Sequence, residues 1–125
     1  MELIDELVKT LNVQRDQAEG GVGAVLKVAE NRLSGDDFSQ VLGAVPGLGD
    51  LLGKAPQFDP NATGGIMGLL AKLFGGIGGL GALLEAFKSL GLSKSMIMKF
   101  VGIVLNFVRK QGGPQVEELL RKVLK

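Results

Sequence analysis

The sequence predicts an all-α protein, a compact helical bundle made of two pseudo-repeated helix–long helix–helix units joined by a glycine-rich apolar helical middle. Three observations lead to this prediction. Apolar residues recur at i, i+3, i+4 and i+7 along most of the chain. Residues that start and stop helices (Asp, Ser, Gly and Pro) separate these runs. The two ends of the chain also align with each other. At 125 residues the chain fits one domain with one core.

The first helical unit covers residues 1–46 and opens with a short amphipathic helix over residues 2–11. Its apolar residues fall at helical spacing, and carboxylates occupy its first turn, where they favour the helix dipole. Asn12 is predicted to cap the long helix that follows. A third, short helix is expected to begin at the aspartate pair after Gly35 and to end before Pro46.

The long helix of the first unit contains three internal glycines, Gly20, Gly21 and Gly23. A glycine inside a helix costs up to about 1 kcal/mol relative to alanine. We therefore expect another helix to approach closely there and to offset that cost.

The centre of the chain divides into a connector, residues 47–65, and a glycine-rich helical middle, residues 66–84. Pro46 directly before the connector, the two prolines within it and neighbouring Asp and Asn residues predict turns, with one short helical turn at Leu48, Leu51 and Leu52. The middle is predicted to be helical with a glycine hinge. Its 19 residues reach the threshold length of a membrane span, but six are glycine and one is Lys72, which argues against a transmembrane helix.

The second helical unit covers residues 85–125. Residues 93–111 are apolar on nearly every side, so we predict that they form the buried central helix, capped by Ser93. Gly112 and Gly113 are expected to end that helix, and Pro114 suits the first turn of a terminal one.

An internal repeat is suggested when residue 6 is set against residue 85. Both copies then have a short helix, a capped turn, a long helix, a glycine break and a short helix. The predicted match of Gly23 with Gly102 would let the two long helices cross closely. Chance likeness between amphipathic helices is the alternative. The matched pairs are Glu6 and Glu85, Lys9 and Lys88, Leu11 and Leu90, Val22 and Val101, Gly23 and Gly102, Val25 and Val104, and Leu26 and Leu105.

The composition lacks most residues of familiar active sites. The chain contains no Cys and no His, and therefore no disulfide, thiolate zinc site or imidazole base. We predict no catalytic residue, no metal site and no cofactor. Two sequence patterns could suggest a nucleotide site or carboxylate chemistry, but each has a structural explanation. The GxGxxG pattern at Gly76, Gly78 and Gly81 has no predicted strand before it, and the carboxylate pairs 36–37 and 117–118 lie near helix starts, where the helix dipole explains them.

The net charge of +1 is unevenly distributed. Residues 1–87 sum to −5 and residues 88–125 to +6. Such a split suggests that the two halves attract each other within or between chains, or that the basic part meets an anionic partner. The favoured interpretation is simpler: the charges form solvated helix faces on two halves that pack together. The basic residues are spread over two helices, and the chain lacks Trp and Tyr, so specific nucleic-acid binding is not expected. No small-molecule substrate is evident.

Two stretches, residues 11–52 and 90–124, carry a resemblance to a known family: LNVQRDQAEGGVGAVLKVAENRLSGDDFSQVLGAVPGLGDLL and LGLSKSMIMKFVGIVLNFVRKQGGPQVEELLRKVL. They resemble bacterial VcgC/VcgE-type proteins and, more distantly, YidB-type proteins, small helical families without an established activity. The resemblance implies the fold and a bacterial origin. It consists of helix and glycine patterns and therefore assigns no site.

The sequence favours a non-catalytic interaction module that self-associates or binds a partner helix through its apolar middle. The alternative is a peripheral protein that binds lipid or an anionic membrane surface, prompted by the same middle and the basic C-terminal part. The N-terminal residues lack the pattern of a secretory signal, so a cytoplasmic location is expected. The predicted interaction surface consists of Ile66, Met67, Leu70, Leu73 and Phe74.

Overall fold

The computed structural model describes residues 2–56 and 79–124, and every regular element within these ranges is helical. The chain is all-α and forms a compact helical bundle, as predicted. A 3-10 turn, Leu52–Lys54, follows the fourth helix. The α-helices in chain order are α1 (Glu2–Leu11), α2 (Arg15–Arg32), α3 (Gly35–Ala44), α4 (Leu48–Leu51), α5 (Gly79–Ser89), α6 (Lys94–Gly112) and α7 (Pro114–Leu124).

The turn between α1 and α2 differs from the sequence prediction. Asn12 has a φ of 55°, in the left-handed region that asparagine tolerates, and it ends α1 instead of capping α2. The residue before α2 is Gln14, whose backbone N–H donates to Oε1 of Gln17 at 3.0 Å. The position was mispredicted because asparagine suits both ends of a helix.

Other helix ends lie close to the predicted positions. Helix α3 begins at Gly35, just before the predicted aspartate pair, and Ser34 caps it by accepting a hydrogen bond from the Asp37 backbone N–H at 3.2 Å. The short α4 forms at the expected leucines. Gly113 ends α6 with a φ of 90°, and α7 begins at Pro114. Ser93 precedes α6 as predicted, but its hydroxyl is paired with that of Ser95 at 3.0 Å instead of capping the helix.

Among the helices that the structure describes, α2 is the most deeply buried, which corrects the prediction that residues 93–111 form the central helix. Every residue from 20 to 26 is buried in α2. In α6, by contrast, Met98, Lys99, Gly102 and Asn106 are exposed. Hydrophobicity alone favoured α6, whereas burial is decided by how many neighbours can approach a helix. The small residues of α2 admit neighbours on several sides.

Three glycines allow α2 to be approached this closely. A Cβ on Gly20 would lie 2.7 Å from Leu90 Cδ2, and one on Gly21 would lie 2.9 Å from Phe100 Cε2. A Cβ on Gly23 would meet the carbonyl oxygen of Leu51 and lie 2.8 Å from the backbone nitrogen of Ala55. The close approach predicted from the glycines is therefore present, and it involves the side chains of Leu90 and Phe100 and the backbone of Leu51 and Ala55 on either side of the 3-10 turn.

The predicted crossing of the long helices at Gly23 and Gly102 is wrong. Gly23 faces the 3-10 turn, and no described atom lies within 4 Å of a Cβ placed on Gly102. The contact between α2 and α6 is made instead by the Phe100 ring over Gly21. Aligned positions thus have different neighbours, because residues 48–55 follow the first unit and pack against α2.

The two units pack reciprocally. Helix α1 packs against α6, and α5 packs against α2, so the first helix of each unit lies on the long helix of the other. Similarly, α3 packs against α6 and α7 against α2. The lengths of the helices, 10, 18 and 10 residues against 11, 19 and 11, follow the same order. Neither observation tests common origin, so the repeat and the four predicted segments stay predictions.

The core between the units is entirely apolar. No polar or charged side chain is buried among the described residues. At its centre the rings of Phe87 and Phe100, both 0% exposed, meet edge to face with centroids 5.0 Å apart at 80°. These two rings join α5 to α6, and Phe100 continues the contact to α2.

One polar contact links the units at the edge of this core, and its removal is testable. Gln17 Nε2 donates to the carbonyl oxygen of Leu90 at 2.9 Å in a partly buried position. We expect Gln17→Ala to lower the free energy of unfolding by about 1–2 kcal/mol, because the Leu90 carbonyl and the Gln14 backbone N–H both lose their side-chain partner. Urea denaturation followed by circular dichroism measures the change. Gln40→Ala, at an exposed position of α3, is the matched control, and equal effects would contradict the assignment.

Candidate interaction surface

The five residues of the predicted interaction surface all lie outside the described residues. The structure therefore neither brings them together nor separates them. They are Ile66, Met67, Leu70, Leu73 and Phe74.

The described residues contain a different candidate, on the exposed side of α6. Met98 is the large apolar side chain that stands out there, at 66% exposure. Gly102 follows one turn later with open space above its Cα. Half-buried Ile103 and Leu105 flank this strip and connect it to the core. We call the strip the Gly102 face and define it by its exposed residues Met98, Lys99, Gly102, Asn106, Arg109 and Lys110.

Helical spacing places these residues on one side of α6. Positions 98, 102, 106 and 109 follow each other at intervals of four, four and three, and residues at such intervals are neighbours on a helix. The face extends over residues 98–110, which corresponds to about 18 Å along the helix axis. Such a length fits one partner helix.

The corresponding side of α2 is covered. In the alignment of the two units, Gly20 and Gly23 stand opposite Lys99 and Gly102. Both glycines of α2 are buried, and backbone atoms of Leu51, Lys54 and Ala55 pack over them. No described residue packs over Gly102 in this way. One long helix is therefore covered on a side where the other is left open.

Charge on α6 has one sign. The helix contains Lys94, Lys99, Arg109 and Lys110 and no Asp or Glu. Nε of Arg109 lies 3.6 Å from a carboxylate oxygen of Glu117, which also binds Arg121 at 2.7 Å. Within the described ranges, no carboxylate pairs with Lys99 or Lys110. The Gly102 face is therefore a partly apolar strip with a cationic edge.

The carboxylate pairs considered in the sequence occupy separate surroundings. Asp36 and Asp37 lie in the first turn of α3, where the Asp37 backbone N–H is used by the Ser34 cap. Glu117 is engaged by two arginines, as described above. Over residues 2–56 and 79–124, no group of three or more acidic side chains is placed to hold a metal ion. The described carboxylates thus pair with nearby groups or face solvent, and no three of them come together at one site.

Among the helices that the structure describes, none combines the length and the apolar character that crossing a membrane requires.

Comparison with known proteins places the chain in a family. The family model described as "Protein of unknown function VcgC/VcgE (DUF2780)" matches residues 1–125, the whole chain. The chain belongs to this family. No curated protein and no solved structure matches it. The VcgC/VcgE resemblance seen in the sequence is thereby confirmed, and the family description assigns no activity to any residue.

Sequence reasoning missed the Gly102 face because it assigned nearly every side of residues 93–111 to the core. A signal was present. Lys99, Gly102, Asn106 and Lys110 follow at i, i+3, i+7 and i+11, the spacing of one helix face, and none has an apolar side chain. That polar and small stripe indicates an exposed side on an otherwise apolar helix.

Proposed function

We propose that this VcgC/VcgE protein is a non-catalytic interaction module that self-associates or binds a helix of a partner protein. The observation that supports this most is the Gly102 face, an open, partly apolar side of a long helix whose counterpart on α2 is covered. Buried side chains elsewhere in the described ranges are apolar and serve the core. Binding through helix surfaces uses such open strips in many proteins.

The apolar middle is the second surface of this proposal. In the sequence, residues 64–84 contain Lys72 as their one charged side chain. An apolar stretch of this kind is typical of a binding surface or of core. Its predicted contact residues, Leu70 and Phe74 among them, remain part of the proposal. A cytoplasmic location also stays a prediction of the sequence.

Sedimentation velocity over a wide range of protein concentration tests the proposal. We expect reversible association that weakens when Leu70 and Phe74 are replaced by Glu, because charge on an apolar contact is costly to bury. Ser39→Glu, at an exposed position of α3, is the control and should leave association unchanged. A chain that stays monomeric throughout and binds no helical peptide would contradict the proposal.

Binding to a lipid surface is the competing function, and it is separated by flotation with anionic vesicles. The basic residues of α6 and α7 favour it, because cations attract anionic headgroups. Co-flotation at low salt that disappears at high salt, without protein association, would favour the lipid-binding function over the interaction module.

A further inference from the structure

We propose that the Gly102 face binds an amphipathic helix of a partner protein, one whose edge carries Asp or Glu opposite Lys99 and Lys110. This inference rests on the proposed function and specifies its site and its partner. Three features of the face support it: the gap above Gly102, the positions of the cations and the exposed side chain of Met98.

The gap above Gly102 permits a close backbone approach. On α2 the equivalent glycine, Gly23, is approached so closely that a Cβ would lie 2.8 Å from the backbone nitrogen of Ala55. The same chain thus shows how such a position is covered in the first unit. A partner helix above Gly102 reaches Ile103 and Leu105, the half-buried apolar flanks of the face. Small residues at helix contacts allow this approach because no side chain intervenes.

The cations determine the chemistry of the partner. Lys99 and Lys110 lie about three turns apart on one edge of α6, roughly 16 Å along the axis. Arg109 lies on the opposite edge, at the C-terminal end of the face. A helix with carboxylates along its edges complements this pattern, and like charges facing each other across an interface are unfavourable.

A second copy bound through the same face does not fit. Two Gly102 faces would bring six cations together, Lys99, Arg109 and Lys110 from each copy, and α6 contains no Asp or Glu. Charge complementarity therefore favours an acidic partner helix over an α6–α6 dimer.

A lipid surface fits less well than a helix. Binding at a membrane interface scales with the apolar area that is buried. Among the described residues, Met98 is the large apolar side chain recorded as exposed, at 66%. Methionine is flexible and adapts to irregular partner surfaces. The exposed apolar area of one methionine is small for binding to a bilayer, but a methionine beside the gap above a glycine can pack against the side chains of a partner helix.

Helical peptides that share a Leu and Ala seam and differ in their edge residues provide the probe. Their edges carry Glu, Gln or Lys, and binding to the full chain is measured by fluorescence anisotropy. We expect the Glu peptide to bind best and the Lys peptide to bind least. Gly102→Gln should weaken Glu-peptide binding by about tenfold or more, because its side chain fills the gap.

The matched control is Gly43→Gln on α3, since Gly43 is also an exposed helical glycine with nothing within 4 Å. It should leave binding unchanged. Replacing both Lys99 and Lys110 by Glu should reverse the order, so that the Lys peptide binds best. This reversal distinguishes a charge-matched docking site from nonspecific binding of peptides to the chain.

Several outcomes would overturn the inference. If all peptides bind equally well, or if Gly43→Gln weakens peptide binding as much as Gly102→Gln does, the Gly102 face is not a specific binding site. Loss of self-association in Gly102→Gln assigns the face to a second copy, and Met98-dependent binding to phosphatidylglycerol vesicles assigns it to lipid. A larger loss of stability in Gly102→Gln than in Gly43→Gln means that the chain itself covers the face.

If association persists and is unchanged by substitution of Gly102, this inference fails and the proposed function stands. If the chain binds nothing, both fail.

Discussion

Phe100→Ala should lower the free energy of unfolding by about 3–5 kcal/mol, the cost of emptying a fully buried aromatic site. Phe100 is 0% exposed, packs edge to face on Phe87 and lies over Gly21. Its removal therefore leaves a cavity where α2, α5 and α6 meet. Urea denaturation followed by circular dichroism is the appropriate measurement, since the chain has no Trp.

Two further variants give that experiment its controls. Met98→Ala lies on the same helix but at an exposed position, and it should change stability by no more than about 0.5 kcal/mol. Phe100→Leu keeps most of the volume and should cost less than the alanine variant, which keeps the test informative if Phe100→Ala does not fold. A smaller loss for Phe100→Ala than for Met98→Ala would contradict the packing described here.

Gly23→Ala should be destabilising by about 1–3 kcal/mol, although alanine favours helices more than glycine does. The added Cβ meets the carbonyl oxygen of Leu51 and the backbone of Ala55. Backbone atoms cannot rotate away as a side chain can, so the 3-10 turn has to shift. The same denaturation experiment measures the loss.

Gly102→Ala is the paired control for Gly23→Ala, because the two glycines are aligned in the repeat. Gly102 has open space above it, so alanine there should raise the free energy of unfolding by up to about 1 kcal/mol. Opposite signs at the two positions are the expected result. A stabilising Gly23→Ala would show that the 3-10 turn does not pack against α2 as described.

The fold was predictable where local chemistry decides it. The Gly112–Gly113–Pro114 sequence marks the boundary of α6 and α7, and the leucines that predict the short turn of α4 lie within that turn. The Ser34 cap is equally local, but the sequence prediction placed the start of α3 at the aspartate pair instead. Such signals depend on backbone conformation and nearby hydrogen bonds, which a sequence contains directly.

Burial was less predictable because it depends on distant partners. The hydrophobicity of residues 93–111 predicts that they form the central helix, yet α2 is the most deeply buried of the described helices. Its glycines at positions 20, 21 and 23 let Leu90, Phe100 and the backbone next to the 3-10 turn come close. The alignment paired Gly23 with Gly102 but contained no information on what covers each. Residues 48–55 pack against α2, and that contact makes the two aligned positions different.

The candidate site shows the same division. The predicted surface, Leu70 and Phe74 included, rests on the apolar character of the glycine-rich middle and lies outside the described residues. The Gly102 face was not predicted, because its open side follows from tertiary packing. Its polar stripe was nevertheless present in the sequence at helical spacing.

Methionine methyl NMR tests the central claim most directly. The chain has four methionines, at positions 1, 67, 96 and 98, so the methyl signals are few and assignable. With a soluble paramagnetic agent, we expect the Met98 methyl to broaden more than that of half-buried Met96 in the free monomer. Added Glu-edged helical peptide should shift the Met98 signal and protect it from broadening. A Met98 methyl already shielded in the free monomer, or unmoved when the peptide is bound, would contradict an open docking face on α6.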